Sequence, residues 1–242
     1  MDQRVEVREP YTLHRRASAW AVHVFTASGA VFGLLALFAV FQDQPAMVFL
    51  WLAVALIVDG VDGTFARRAD VANVLPGVDG SALDLVVDYL TYVVVPAVFM
   101  VRFGLLPDGF ALALAGWVLL TSLYCFANTG MKSSDAYFVG FPAVWNVVAL
   151  YLWLLDFDPW VNTGILLALG VLTFTRMKFL HPFRVRTLMP LNLAATAVWF
   201  VAGGWLVAVH PEQPSLAFVP WLAASGYVVG MCAWRSLRDL RG

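Results

Sequence analysis

The chain has 242 residues, of which 61% are hydrophobic and 13% are charged. Soluble domains are less apolar and carry about twice that share of charged residues, so the composition excludes an ordinary water-soluble domain and predicts a protein of the lipid bilayer. The formal net charge of -1 lacks the basic excess that a nucleic-acid partner would require.

Long apolar runs follow one another along the chain. A helix that crosses a bilayer needs about 20 mostly apolar residues, and eight runs approach that length. Short connections rich in Pro, Gly, Asp and Asn separate them, as turns between helices require. We therefore predict an all-α polytopic membrane helix bundle, with one domain over residues 18–242. The predicted helices cover residues 18–41, 46–66, 83–103, 109–128, 138–155, 160–179, 188–209 and 215–234.

Residues 1–17, which precede the first run, mix arginines with apolar residues. This composition is typical of an amphipathic helix lying on the membrane surface, and equally of a polar terminus without fixed structure.

The basic residues predict the orientation of the bundle. Fourteen of the fifteen Lys and Arg residues fall in the two termini and in alternate loops, and only Arg102 lies on the other side. Because Lys and Arg concentrate in cytoplasmic loops, we expect both termini to lie in the cytoplasm.

Two pairs of aspartates lie where the second predicted helix ends and the third begins. Asp59 and Asp62 are three residues apart, and Asp84 and Asp88 are four apart. These spacings place each pair on one face of its helix. Antiparallel neighbours joined by a loop would direct all four carboxylates into one space.

Four carboxylates at a membrane boundary repel one another unless a positive charge lies between them. Clustered carboxylate oxygens select hard cations such as Mg²⁺ or Mn²⁺, and two such ions form a clamp for phosphoryl transfer. Either pair alone could equally be a hydrated helix end or a pair of acids that favours the helix dipole. Two pairs together favour a metal site. We interpret Asp70 and Asp79, in the loop between, as turn residues.

The residues around the aspartates suit a bulky phosphorylated ligand. Gly60, Gly63, Ala66 and Gly80 leave space close to the backbone. Arg67 lies one helical turn beyond Gly63, and its planar guanidinium can hold a phosphate through two parallel hydrogen bonds.

This pattern resembles the motif of the CDP-alcohol phosphatidyltransferases. All eight fixed positions of that motif match, although the spacer Arg68–Asp79 is longer than in most members, which leaves the loop conformation open. The matching residues are Asp59, Asp62, Gly63, Ala66, Arg67, Gly80, Asp84 and Asp88. Less specific segments resemble the bacterial phosphatidylcholine synthase branch of the family, namely Asp88–Tyr92, Tyr137–Pro142 and His181–Arg186.

The resemblance implies transfer of the phosphatidyl group of CDP-diacylglycerol to choline, with release of CMP. It implies that two divalent cations, Mn²⁺ or Mg²⁺, are held by Asp59, Asp62 and Asp84, and that Asp88 binds one of them and acts as general base. It further implies that Gly63, Ala66 and Gly80 make room for cytidine and that Arg67 binds the diphosphate. A homodimer in the bacterial inner membrane is expected, with a core of six helices in each subunit and the active site facing the cytoplasm.

Choline is a quaternary cation, which proteins hold against aromatic faces. Tyrosines and a tryptophan close to the motif, or on the same side of the membrane, are candidates for such a cage, although these residues also belt membrane interfaces. The candidates are Tyr89, Tyr92, Tyr124, Tyr137 and Trp145.

Two other functions stay open. The same transfer to serine, inositol phosphate or glycerol phosphate would use the same motif, but an anionic acceptor calls for more cationic residues than this region offers. A divalent-cation transporter would use the same acids, but it favours acids near mid-membrane and a broken helix.

Overall fold

In lipid, backbone polar groups must bond within their own segment, which favours helices, and the apolar runs of this chain do form helices. The computed structural model describes residues 11–131 and 133–241. Within these ranges the helices are α1 Leu13–Phe41, α2 Pro45–Arg68, α3 Val71–Val74, α4 Gly80–Asp88, α5 Val95–Arg102, α6 Ala111–Ala127, α7 Trp145–Leu155, α8 Pro159–Leu172, α9 Met189–Val209 and α10 Ser215–Arg241.

One π-helical turn and two short strands complete the described structure. The turn, Tyr89–Val94, joins α4 to α5 without a break. Strand β1, Phe138–Val139, pairs antiparallel with β2, Lys178–Phe179.

Five helical stretches in the described part of the chain are long and apolar enough to cross a membrane. They are α1, α2, the continuous stretch from α4 to α5, α9 and α10, and three shorter apolar helices, α6, α7 and α8, lie among them. The molecule is therefore a polytopic membrane helix bundle, as the composition predicts. Eight spans and cytoplasmic termini stay predictions.

Two predicted helices extend at one end into residues that are not helical. Residues 138–144 were expected to begin a helix, but they form β1 and a turn in which Gly140 and Ala143 have positive φ angles. The helix predicted to reach residue 179 ends at Leu172, because the chain beyond it turns and pairs with β1. Apolar composition alone does not distinguish helix from strand in such short stretches.

The predicted N-terminal segment is only partly described. Residues 1–10 lie outside the described residues. Thr12 caps α1 by accepting a hydrogen bond from the Arg15 backbone N–H, so residues 13–17 belong to α1. A separate interfacial segment stays a prediction.

Several ion pairs join segments that the charge pattern assigns to the same side of the membrane. Arg102 pairs with Asp43 at 2.7 Å, which joins the chain after α5 to the α1–α2 loop. At the other end of α2, Arg15 pairs with Asp70 at 3.5 Å.

Glycines allow α1 to approach α4 closely enough to position the motif. A Cβ atom at Gly29 would lie 2.5 Å from Val87 Cγ1, and one at Gly33 would lie 2.8 Å from Leu90 Cδ2. Val87 immediately precedes Asp88, so this contact helps to set where that carboxylate lies.

We expect Gly29→Ala to destabilise the protein by about 1–3 kcal/mol, since an added methyl group overpacks this contact and the β-branched Val87 has little rotamer freedom. The midpoint of thermal unfolding in detergent measures the effect. Gly164→Ala is the matched control, because a Cβ there meets nothing within 4 Å. Equal unfolding midpoints for both variants would contradict the prediction.

Candidate active site

The carboxylates of Asp59, Asp84 and Asp88 form a cluster. Asp59 comes from the second half of α2, and the other two come from successive turns of α4. Each offers one oxygen, and these three oxygens all lie within 4.8 Å of one another. The two halves of the motif therefore meet.

Asp62 lies one turn beyond Asp59 on α2, in a different environment. It is buried, and its Oδ2 accepts a hydrogen bond of 2.8 Å from the Thr26 hydroxyl of α1. Asp62 and Asp84 both line a cavity beside the cluster. The structure thus brings all four acids to one region, with Asp62 on the cavity side.

The electrostatics of the cluster fit a cation. The charges of Asp59, Asp84 and Asp62 all act on Asp88, which also lies within hydrogen-bonding distance of Asp59. Its Oδ1 is buried and has no hydrogen-bond partner among the described residues. A buried acid oxygen is costly without a partner. Carboxylate oxygens at this spacing are the donors that Mg²⁺ and Mn²⁺ prefer, so these residues fit a divalent cation.

A π-helical turn begins directly after Asp88, and π turns are frequent at functional sites. Pro96 accounts for it, because proline has no N–H for the carbonyl of Tyr92, four residues earlier, and its ring crowds that carbonyl. The turn brings the buried Tyr92 hydroxyl to Asp59 Oδ2, where it donates a hydrogen bond of 2.6 Å. The sequence pattern does not predict this contact, although Pro96 signals an irregular helix.

A cavity of about 670 Å³ opens beside the acids, between α1, the end of α2, the following loop and the start of α4. Six of the eight motif positions line it, namely Asp62, Gly63, Ala66, Arg67, Gly80 and Asp84. Gly60, also predicted to leave space for a ligand, lies exposed on α2 with open space where a Cβ would be.

Arg67 lies at the edge of this cavity. Its guanidinium donates a hydrogen bond of 3.1 Å to the Thr64 hydroxyl. A Cβ at Gly63 would lie 3.3 Å from Arg67 Nη1, so the glycine leaves room for the guanidinium beside α2.

Helix α1 supplies one wall of the cavity, which the motif alone did not reveal. Val22, His23 and Thr26, which lie within about one turn of that helix, line it. His23 is buried and packs against Gly80, where a Cβ would lie 3.2 Å from its ring.

The lengthened loop folds back onto α1. Its short helix α3 buries Val71 and Val74 against Ala19. Asp79 caps α4 by accepting hydrogen bonds from the backbone N–H groups of Ser81 and Ala82. Asp70, at the start of α3, has a left-handed backbone conformation. Both acids therefore serve turns, as predicted, although both also line the cavity.

The five aromatic residues predicted to hold choline have different surroundings. Trp145 is 0% exposed and donates to the Ser122 hydroxyl, and Tyr137 is 1% exposed with the Arg235 guanidinium 5.8 Å from its ring centroid. Neither ring offers a free face in this structure. Tyr92 is bound to Asp59, and the Tyr89 hydroxyl donates to the Leu119 carbonyl.

Tyr124 has a different position from the other four. Its ring lies 4.7 Å from that of Phe174, and it is 45% exposed.

Comparison with known proteins identifies relatives along nearly the whole chain. No protein-family model matches it. It is 54% identical over 227 residues to a protein of Pseudomonas aeruginosa named phosphatidylcholine synthase. The aligned residues make up 94% of this chain and 95% of that protein. A protein of the same name from Agrobacterium fabrum is 37% identical, over 91% of this chain and 90% of that protein. Another, from Bradyrhizobium diazoefficiens, is 47% identical, over 77% of this chain and 70% of that protein. Identity of this extent over almost full length shows that the chain belongs to the phosphatidylcholine synthase family.

Proposed function

We propose that this chain transfers the phosphatidyl group of CDP-diacylglycerol to choline, releasing CMP and using two divalent cations. The observation that carries the proposal is the cluster of Asp59, Asp84 and Asp88 beside a cavity lined by Arg67, in a member of the phosphatidylcholine synthase family. The chemistry is that of the CDP-alcohol phosphatidyltransferases, whose motif these residues match.

The acids supply ligands for the cations. Asp59, Asp84 and Asp88 would hold one cation, and Asp62 with Asp84 would hold the second on the cavity side. When bound, the two cations neutralise charge on the attacking and leaving oxygens.

The cavity suits the CDP group of the substrate. Its small residues Gly63, Ala66 and Gly80 leave space for cytidine close to the backbone. Arg67 donates to the diphosphate at the cavity edge. The acyl chains of the lipid then extend along the apolar helix surfaces.

Asp88 accepts the proton of the choline hydroxyl in this proposal. The hydroxyl oxygen forms a bond to the phosphorus that carries diacylglycerol, the bond from that phosphorus to the CMP oxygen breaks, and CMP leaves. The Asp88 Oδ1 atom, buried and without a hydrogen-bond partner among the described residues, is available for this proton. A positioned base of this kind contributes about 10²–10⁴-fold to a rate.

Choline binds against an aromatic ring in this proposal. Tyr89 and Tyr124 keep part of their rings exposed, and these two tyrosines are the remaining candidates for a cation–π contact. An anionic acceptor, such as inositol phosphate or glycerol phosphate, would call for more cationic residues than the few that the sequence places near the motif.

We also propose the cellular arrangement that the family resemblance implies. The chain would be a homodimer in the bacterial inner membrane, with eight spans, two of them beyond a core of six. Both termini and the cavity would face the cytoplasm, because fourteen of fifteen basic residues fall on that side.

A headgroup assay tests the reaction. Purified protein is supplied with CDP-diacylglycerol, Mn²⁺ or Mg²⁺, and one of choline, serine, inositol phosphate or glycerol phosphate, and CMP and lipid product are measured. We expect CMP release only with choline, and its loss when EDTA removes the metal. Release with another alcohol would refute choline as the acceptor. Divalent-ion binding without any CMP release would favour the transporter.

Substitution of the acids separates metal binding from proton transfer. We expect Asp59→Asn to weaken Mn²⁺ binding and abolish transfer, and Asp88→Asn to lower kcat by at least about 10²-fold. Asp158→Asn is the control, since Asp158 caps α8 and Asn caps a helix equally well. Near-normal turnover of Asp88→Asn with Mn²⁺ bound would refute its role as base.

Arg67→Lys tests the diphosphate contact. Lysine keeps the charge but not the planar fork, and losing one charge-assisted hydrogen bond costs about 1.5–3 kcal/mol. We therefore expect the KM for CDP-diacylglycerol to rise at least about tenfold, with the KM for choline unchanged. Arg68→Lys is the neighbouring control, because Arg68 is also exposed but does not line the cavity. The same KM for CDP-diacylglycerol in both variants would contradict the assignment.

A further inference from the structure

Two hydroxyl groups from different neighbouring helices donate hydrogen bonds to the two acids of α2. Tyr92, in the π turn, donates to Asp59 Oδ2 at 2.6 Å, and Thr26, in α1, donates to Asp62 Oδ2 at 2.8 Å. We infer that Tyr92 and Thr26 are positioning residues, which orient these two carboxylates so that their other oxygens face the cations. The inference rests on the proposed function, since it assigns a role at the same site.

The contact of Tyr92 is short and buried. Its side chain is 7% exposed, and the distance of 2.6 Å is typical of a hydroxyl bound to an ionised carboxylate. Tyr92 belongs to the same continuous helical stretch as Asp88, whereas Asp59 belongs to α2. The hydrogen bond therefore ties the two halves of the motif together.

The contact of Thr26 ties α1 to Asp62, in the first half of the motif. Thr26 is 8% exposed and lines the cavity beside Asp62. Most threonines inside helices bond a carbonyl of their own helix, as Thr121 does with the Trp117 carbonyl at 2.9 Å. Thr26 instead bonds a carboxylate on another helix, which indicates a role at the site.

Orientation matters because the terminal torsion of an aspartate is broad. A hydrogen bond to one oxygen fixes the carboxylate plane and so directs the other oxygen. Partners of this kind behind metal ligands typically change metal affinity or activity by about 10–100-fold when removed.

A choline cage would use Tyr92 differently. Positioning depends on the hydroxyl group, whereas a cation–π contact depends on the ring. Tyr92→Phe removes the first and keeps the second, so this variant separates the two roles.

The test measures Mn²⁺ binding directly, from the electron paramagnetic resonance signal of free Mn²⁺, in purified Tyr92→Phe and Thr26→Val. We expect the Kd for Mn²⁺ to rise about 10–100-fold in each. At saturating Mn²⁺, the KM for choline stays at its wild-type value. Thr26→Ser, which keeps the hydroxyl, should retain the wild-type Kd.

Matched controls remove comparable hydroxyls elsewhere. The Tyr227 hydroxyl donates to Asn192 Oδ1 at 2.7 Å, and the Thr121 hydroxyl bonds within α6. Tyr227→Phe and Thr121→Val should therefore bind Mn²⁺ as the wild type does.

Distinct outcomes overturn distinct claims. An unchanged Mn²⁺ Kd in Tyr92→Phe and Thr26→Val, with the wild type active, overturns the positioning role and leaves the proposed function standing. A raised choline KM in Tyr92→Phe with an unchanged Mn²⁺ Kd assigns its hydroxyl to the alcohol site instead. A wild type that neither binds Mn²⁺ nor releases CMP overturns both proposals. Should Tyr92→Phe fail to fold, the Thr26→Val and Thr26→Ser pair still decides the inference at Asp62.

Discussion

The repulsion between carboxylates held close together at the ends of two membrane helices is the constraint on which this structure depends. Asp59, Asp84 and Asp88 bring three acid oxygens within 4.8 Å of one another, and Asp62 adds a further charge. Like charges in a poorly solvated site are strongly unfavourable. Positive charge among the acids would relieve this repulsion. In our proposal, a pair of divalent cations supplies that charge and the reactivity that phosphoryl transfer needs.

The surrounding fold keeps the acids in place despite this repulsion. Gly29 lets α1 pack against Val87, next to Asp88. The π turn carries Tyr92 to Asp59, and α1 carries Thr26 to Asp62. A preorganised cluster of this kind binds cations without first reordering its ligands.

Two of the aromatic residues predicted to hold choline are packed into the fold and leave no exposed ring face for a quaternary cation. Trp145 is buried against Ser122, and the ring of Tyr137 lies beside the Arg235 guanidinium. In a bundle rich in aromatic residues, composition alone does not distinguish a cage from packing. Recognition of choline in our proposal thus relies on fewer rings than the sequence suggests, with Tyr89 and Tyr124 the most accessible.

The sequence by itself determined the helical membrane class, the pairing of Asp59 and Asp62 with Asp84 and Asp88, and the small residues beside them, because helical periodicity and spacing act locally. It did not determine where the chain forms strands instead of helices, because β1 and β2 form only by pairing with each other, and their partners Val139 and Lys178 are 39 positions apart. It also did not predict Thr26 and Tyr92 as partners of the acids, because those contacts join residues 36 and 33 positions apart. Only the packing of α1 and the π turn against α2 decides which donor meets which carboxylate. A pattern along the chain cannot show which distant residues come into contact.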